Sequence, residues 1–333
     1  MPTKTFKALV VEETAPGTFI RSIRERSIVD LPDGDVLIRV HYSSLNYKDA
    51  LSASGHRGVT RNYPHTPGID AAGVVEESSI EYITPGDHVV VNGVNLGTNI
   101  PGGFGLYIRV PASWVYKLPE NLSLKDSMVY GSAGFTSAFL VYKLITHGVT
   151  PDKGKILVTG ATGGVGCIAI AILAKIGYNV VAVSGKTHGK QFLFDLGAQE
   201  FLHRETFLID VDKPILKGTW AGVVDTVGGD ILSAAIKSTK YDGVVTCCGN
   251  VASSELHTTI YPFILRGVSL LGVDAPHCPE DIRLKLWHKL ANEWRLDHLE
   301  RIYSEICLEE LDSAIDRILK GQIIGRVVVN LIA

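Results

Sequence analysis

Apolar residues along this chain recur with two periods, and the change from one to the other divides it. Over the first third, short apolar runs between Gly, Pro and Asp turns predict strands at 7–13, 36–42, 72–76, 88–92 and 106–110. Val36, Ile38 and Val40 alternate there with Leu37, Arg39 and His41, a mixed period of two. Near Gly131 the character changes, and the stretch from Gly131 to Tyr142 reads as the start of a helix. A buried strand at 156–159, an apolar helix at 165–176 and a second strand at 179–184 follow as a βαβ unit. A helix at 189–196 leads to a strand at 200–203, and further strands are predicted at 222–226, 243–247 and 268–273. Six strands separated by helices predict a doubly wound parallel sheet, so the fold class is α/β. Helical periodicity at 280–294 places Ile282, Leu286 and Leu290 on one face. A helix at 309–320 precedes a last strand at 326–331, expected to return to the N-terminal β domain and make the parallel-sheet domain an insertion.

The first corner of that βαβ unit carries the clearest chemical signal. Gly160, Gly163 and Gly166 form a G-x-x-G-x-x-G turn, with Ala161 where the strict G-x-G-x-x-G fingerprint has a glycine. A bare glycine triplet is weak and could be a tight turn with no ligand. Strand, helix and strand around it make it a candidate dinucleotide site, with Thr162, Gly163, Gly164 and Val165 offering N–H groups and a helix N-terminus to a pyrophosphate. Binding of NAD calls for an Asp or Glu at the end of the second strand. This chain has Ser184, Gly185 and Lys186 there and no carboxylate. Ser184 can donate to a 2′-phosphate and Lys186 can supply charge, a kind of contact worth ~1.5–3 kcal/mol. Lys186 and Lys190 could instead be a solvated loop. The missing acid and the present base both favour NADP(H).

Bulk properties narrow the remaining classes. At 333 residues the chain is too long for one compact core and predicts two domains. Its net charge of −3, with Lys and Arg scattered among acids, leaves no nucleic-acid footprint. No run of 18 apolar residues occurs; the longest candidate, 167–183, is broken by Lys175, Gly177, Tyr178 and Asn179, so no membrane partner is expected. The N-terminal residues lack the apolar core of a signal peptide. Five cysteines, an odd number with Cys247 and Cys248 adjacent, fit a reduced cytoplasmic protein.

The order of a β-rich domain, a nucleotide domain with Gly163-Gly164-Val165-Gly166 in its first turn, and a returning tail resembles the medium-chain dehydrogenase/reductase superfamily over the whole chain. Residues 44–50 (Ser-Leu-Asn-Tyr-Lys-Asp-Ala), 67–73 (Pro-Gly-Ile-Asp-Ala-Ala-Gly) and 262–266 (Pro-Phe-Ile-Leu-Arg) resemble its zinc-free branch of acrylyl-CoA reductases and quinone oxidoreductases of the YhdH/YhfP type. The resemblance implies a GroES-like β-rich catalytic domain, 1–125 with 298–333, and a Rossmann NADP-binding domain, 126–297. The superfamily's zinc enzymes have Gly-His-Glu where this chain has Gly68-Ile69-Asp70, and it has no cysteine before Cys167, so no metal is expected.

Site roles follow from the same resemblance. It places Tyr47 against the nicotinamide end of NADPH. A phenol is protonated at neutral pH, so Tyr47 could protonate the α-carbon after hydride reaches the β-carbon, or stabilise the thioester oxygen; Asn46 could do the latter through its amide. A passive wall for the nicotinamide is the competing reading of Tyr47. Asp70, on the segment bearing a zinc ligand in relatives, is expected to face the cleft, while Lys48 and Asp49 read as a structural pair. Arg57 and Arg61 could meet a CoA phosphate or be solvated. The resemblance further gives Arg204 to the adenosine end, Asn250, Ile264 and Ala275 to the nicotinamide side, and Arg326 to the cofactor's vicinity. Three functions compete: NADPH-dependent reduction of an activated C=C bond in an enoyl-CoA, NADPH:quinone oxidoreduction on the same scaffold, and an idle NADPH-binding protein. A homodimer is expected, paired through the apolar edge strand 268–273.

Overall fold

A computed structural model describes residues 4–333. Residues 1–3, which open the segment expected to lack a leader, lie outside the described residues. In chain order the elements begin with β1 (Thr5–Ala15), β2 (Thr18–Ser27), β3 (Val36–Leu45), α1 (Tyr47–Ala53), β4 (Asp70–Ser78), β5 (His88–Asn92), β6 (Tyr107–Val110) and β7 (Tyr116–Lys117). Helix α2 (Leu124–Thr146) leads to β8 (Ile156–Val158), α3 (Gly164–Lys175), β9 (Val180–Ser184), α4 (Lys190–Asp195), β10 (Glu200–His203) and α5 (Arg204–Phe207). Then come β11 (Trp220–Asp225), α6 (Gly229–Lys237), β12 (Thr239–Cys247), α7 (Tyr261–Arg266), β13 (Ser269–Gly272) and α8 (Glu280–Ala291). The tail holds β14 (Tyr303–Cys307), α9 (Leu311–Leu319) and β15 (Arg326–Asn330).

The chain forms two units, 1–132 with 298–333, and 133–297. In the first, a sheet runs β14-β15-β3-β4-β5-β7, with β6 also on β3, beside the hairpin β1-β2. The final strand β15 pairs antiparallel with β3, bringing the tail back to the β-rich unit. Strand β2 was not anticipated because its sequence, TFIRSIRERS, is polar and largely solvent-facing, so backbone pairing with β1 rather than apolar burial defines it. Leu9, Leu45, Phe104, Leu311, Ile315 and Val329 fill one core here.

In the second unit the sheet order is β10-β9-β8-β11-β12-β13, every neighbouring pair parallel. The order reverses between β8 and β11, the switch point beyond whose carboxyl ends open α/β sheets bind ligands. β13 is an edge strand. Its core includes Leu157, Val181, Val223, Ile236 and Val245.

The first boundary falls at 132/133 rather than 125/126. Helix α2 contains Gly131 at φ 51°, ψ −156°, where a Cβ would lie 2.6 Å from Asp70 Oδ2 and 2.7 Å from Arg326 Nη2. Hydrogen bonds from Ser132 to Asp70 and from Arg326 to the Val129 carbonyl tie 129–132 to the β-rich unit. α2 is also long and apolar enough to cross a membrane, which composition had not suggested; most of it is buried within the protein, as in a core helix.

Candidate functional site

One cluster of candidate residues lies where β3 hands over to α1. Asn46 is the N-cap, in extended backbone at φ −118°, ψ 159°. Asp49 Oδ2 accepts from the Asn46 backbone N–H at 2.8 Å, the return half of a capping box, and Asp49 Oδ1 accepts from Ile69 N at 2.8 Å. These bonds fix the helix start and stitch it to the strand bearing Asp70. The expected Lys48–Asp49 pairing is therefore replaced: Lys48 is exposed and Asp49 is fully buried on Asn46 and Ile69.

Asp70 does not present a free carboxylate. It is fully buried and accepts from Ser44 Oγ (2.5 Å), Asn46 Nδ2 (2.8 Å), Ser132 N (2.9 Å) and Ser132 Oγ (2.7 Å). Asn46 Nδ2 also donates to Asp49 Oδ2 at 3.1 Å, and Asn46 Oδ1 accepts from Arg326 Nη1 at 3.1 Å. Both amide hydrogens are thus committed to carboxylates, and Asn46 has no donor left for a substrate oxygen. Arg326, 3% exposed, donates to the Val129 and Leu45 carbonyls and to Ser44 Oγ, and its guanidinium lies 3.9 Å from Asp70. Asn46, Asp70 and Arg326, expected as catalytic or cofactor-contacting groups, form a polar network beneath the start of α1. A buried network saturated in this way specifies geometry.

What the network holds up is Tyr47, 38% exposed, with no protein partner for its hydroxyl among the described residues. Burial and the neighbouring Asp70 charge push Asp49 up to about 7, against its three N–H donors. Arg57 pairs with Glu13, donates to the Arg61 carbonyl and stacks on Phe19 and Tyr63, so it braces its loop and is not free for an anion; Arg61 is exposed.

The second cluster lies in the parallel-sheet unit at the carboxyl ends of the strands. The turn between β8 and α3 is closed by Gly163 N to Gly160 O (2.9 Å) and Ala161 N to Val183 O (3.1 Å). A Cβ on Gly166 would lie 2.5 Å from the Gly160 carbonyl, so only glycine lets α3 approach its own turn so closely. Thr162 Oγ1 and Ser184 Oγ are 3.0 Å apart, and Ser184 Oγ accepts from Lys186 N at 3.1 Å. Ser184 is nearly buried, so it first of all links the turn to the end of β9. Gly185 is exposed, and a Cβ there would sit 2.9 Å from Arg204 Nε: the Arg204 side chain lies directly on this glycine. Burial pulls the Lys186 ammonium below the usual lysine range.

Across the switch point Thr159 Oγ1 donates to Asp225 Oδ1 at 2.6 Å, and the carboxylate also accepts from Gly228 N at 2.8 Å. Burial raises Asp225 despite these donors. An open cleft of about 630 Å³ at the ends of β12 and β13 is lined by Cys247, Cys248, Gly249, Val273, Asp274 and Lys143. Burial, then Asp225, pushes the Cys248 thiol up to about 12, so this cysteine is inert as a nucleophile. Asn250 is exposed beside Gly249, Ile264 is 65% exposed on α7, and Ala275 is buried just beyond β13. Asp225, Thr159, Ser44 and Ser132 went unnoticed in the sequence because a single Ser, Thr or Asp at an element end has no periodic signature.

An alcohol dehydrogenase GroES-like domain family matches residues 32–120, and a zinc-binding dehydrogenase family matches residues 164–292. The putative quinone oxidoreductase YhfP of Bacillus subtilis is 43% identical, covering 98% of this chain and 99% of that protein. The acrylyl-CoA reductase AcuI of Ruegeria pomeroyi is 42% identical, over 98% and 99%. Among solved structures, E. coli K-12 YhdH with bound NADPH is 39% identical with a TM-score of 0.94, covering 97% of this chain and 99% of that one. Bacillus subtilis yhfP with NAD bound is 42% identical with a TM-score of 0.96, over 99% and 100%.

Proposed function

The chain belongs to the medium-chain dehydrogenase/reductase superfamily, and from that premise we propose that it transfers hydride from NADPH to an activated C=C bond, with an acrylyl-CoA-like enoyl thioester as acceptor. The single observation that carries the cofactor reading is the end of β9: no carboxylate, with Ser184, Gly185, Lys186 and the overlying Arg204 together. A 2′-phosphate would find two cations there, whereas the acid that repels it is missing. The pyrophosphate would rest on the N–H groups of Thr162, Gly164 and Val165 at the N-terminus of α3, Gly163 N–H being held by the Gly160 carbonyl. The NAD-bound yhfP structure makes cofactor preference a matter for direct measurement.

Hydride delivered to the β-carbon leaves negative charge on the thioester oxygen, and the α-carbon then takes a proton. Tyr47 is the group we assign to this step, since its hydroxyl has no protein partner among the described residues and it opens the helix that the network positions. Asn46, Asp49, Asp70, Ser44 and Arg326 act through it, as its support. This reading assigns no step to zinc, since Ile69 stands where the superfamily's zinc enzymes have a histidine ligand. Quinone reduction on the same site is the second reading, favoured by the likeness to YhfP.

Two further expectations accompany this reading. The unpaired edge of β13, beside exposed Ile260, Tyr261, Ile264 and Leu265, would be covered in a homodimer. Five free cysteines suit a reducing compartment such as the cytoplasm. The deciding experiment follows NADPH and NADH oxidation with acrylyl-CoA, with 1,4-benzoquinone and with neither. Turnover of acrylyl-CoA with NADPH supports the first reading, turnover of benzoquinone alone the second, and no turnover with tight NADPH binding means an idle binding protein.

A further inference from the structure

We propose that Arg283, a residue with no part in the reading above, is a positioning residue that, through the Ala275 and Pro276 carbonyls, fixes the segment after β13 as the wall of the nicotinamide half of the cofactor site. The inference rests on the proposed NADPH function. Doubly wound sheets bind a dinucleotide as two halves on either side of the switch point. The 2′-phosphate candidates lie at the end of β9, on one side; the open cleft beyond β12 and β13 lies on the other, so it falls to the nicotinamide half. The segment that follows β13, Val273 to Pro276, contributes Val273 and Asp274 to that cleft, and its conformation sets what the nicotinamide meets.

Arg283 braces that segment from beneath, beside backbone bonds from Val273 N to the Cys247 carbonyl (2.9 Å) and from Cys278 N to the Ala275 carbonyl (3.3 Å). Arg283 Nη2 donates to the Ala275 carbonyl at 2.8 Å and to the Pro276 carbonyl at 3.0 Å. The guanidinium lies 4.8 Å over the Phe135 ring, and Phe135 in turn packs on Trp287 at 6.1 Å. Arg283 is 1% exposed and is the bulkiest fully buried side chain in the molecule. It is also in the wrong place for stability alone. It sits one turn into α8, where the positive end of the helix dipole opposes a cation, and burying a guanidinium has a desolvation cost that a leucine or methionine would not incur. An Nη2 amino group reaching two successive carbonyls does what an apolar residue cannot: it ties down both peptide planes of the loop.

The test compares NADPH with 2′-phospho-ADP-ribose, which shares every group except the nicotinamide. Binding of each is measured by titration in wild type, Arg283→Gln and Arg283→Lys, alongside kcat and KM. We expect Arg283→Gln to weaken NADPH about tenfold or more, the scale of lost charge-assisted hydrogen bonds, with 2′-phospho-ADP-ribose unchanged within about twofold. Lysine, which keeps the charge but not the planar guanidinium over Phe135, should recover part of the loss. If both ligands weaken equally, or the glutamine variant fails to fold and the lysine variant binds both ligands as wild type does, Arg283 is only structural and the inference falls. Unchanged NADPH binding and kcat in both variants would overturn it as well. If wild type itself does not bind NADPH more tightly than the fragment, the proposed function fails and takes the inference with it.

Discussion

Asp70→Asn separates a supporting carboxylate from a reacting one. The substitution preserves shape but turns one oxygen into an NH2 donor. Oδ2 accepts from Ser44 and Asn46, and Oδ1 accepts from Ser132 N–H and O–H. If the new NH2 takes the Oδ2 position it faces Asn46 Nδ2, which cannot flip because Arg326 holds Asn46 Oδ1. If it takes the Oδ1 position it faces the Ser132 backbone N–H, which keeps its contact with Oδ2 at 3.0 Å. The first placement leaves a buried N–H without its acceptor, and in both the Arg326 guanidinium loses the carboxylate charge 3.9 Å away. Removing one partner of a buried ionic network costs about 3–5 kcal/mol. The assay is urea unfolding of the Asp70→Asn, Arg326→Met and double variants. The two residues share Ser44 and Asn46, so the double variant should be less destabilised than the sum by about 1–3 kcal/mol. A loss below about 1 kcal/mol, far under what a broken buried network costs, together with abolished kcat would refute the supporting role and return Asp70 to the chemistry.

Tyr47→Phe should lower kcat on acrylyl-CoA by about a hundredfold, the usual scale for a lost general acid, and affect benzoquinone less because a hydroquinone oxygen can be protonated by water. Unchanged kcat on both acceptors would remove Tyr47 from the mechanism. Lys186→Ala and Arg204→Ala should each weaken NADPH about tenfold or more, as for one lost charge-assisted contact, with NADH nearly untouched; equal loss for both cofactors would disprove the 2′-phosphate assignment. The raised Asp49 gives a pH signature. Between its ordinary value of 3.8 and about 7 the folded state binds the extra proton, so Asp49 contributes stability at low pH that is lost as pH rises through this window. Asp49→Asn should flatten that slope in denaturation midpoints, and an unchanged slope would mean the carboxylate titrates normally.

How much of this was legible in the chain depends on whether the signal is local. The βαβ unit, the glycine turn and the acid-free end of β9 are written in consecutive residues, since one turn or one apolar run specifies each, and the observed ranges differ from expectation by a residue or so. The return of the tail to the β-rich unit could be anticipated because an apolar strand needs a sheet to join. By contrast, β2 depends on its hairpin partner, and the polar face of TFIRSIRERS carries no burial pattern. The roles of Asn46, Asp70 and Arg326 were decided by tertiary structure alone. They come from three segments, 46–49, 70 and 326, and only folding brings Arg326 Nη1 to 3.1 Å from Asn46 Oδ1 and Asn46 Nδ2 to 2.8 Å from Asp70. The resemblance suggested catalysis or cofactor contact; in the fold their polar groups are bonded chiefly to one another and to backbone carbonyls. Sequence determines which polar groups a chain possesses, whereas long-range packing determines which of them water and substrate can still reach.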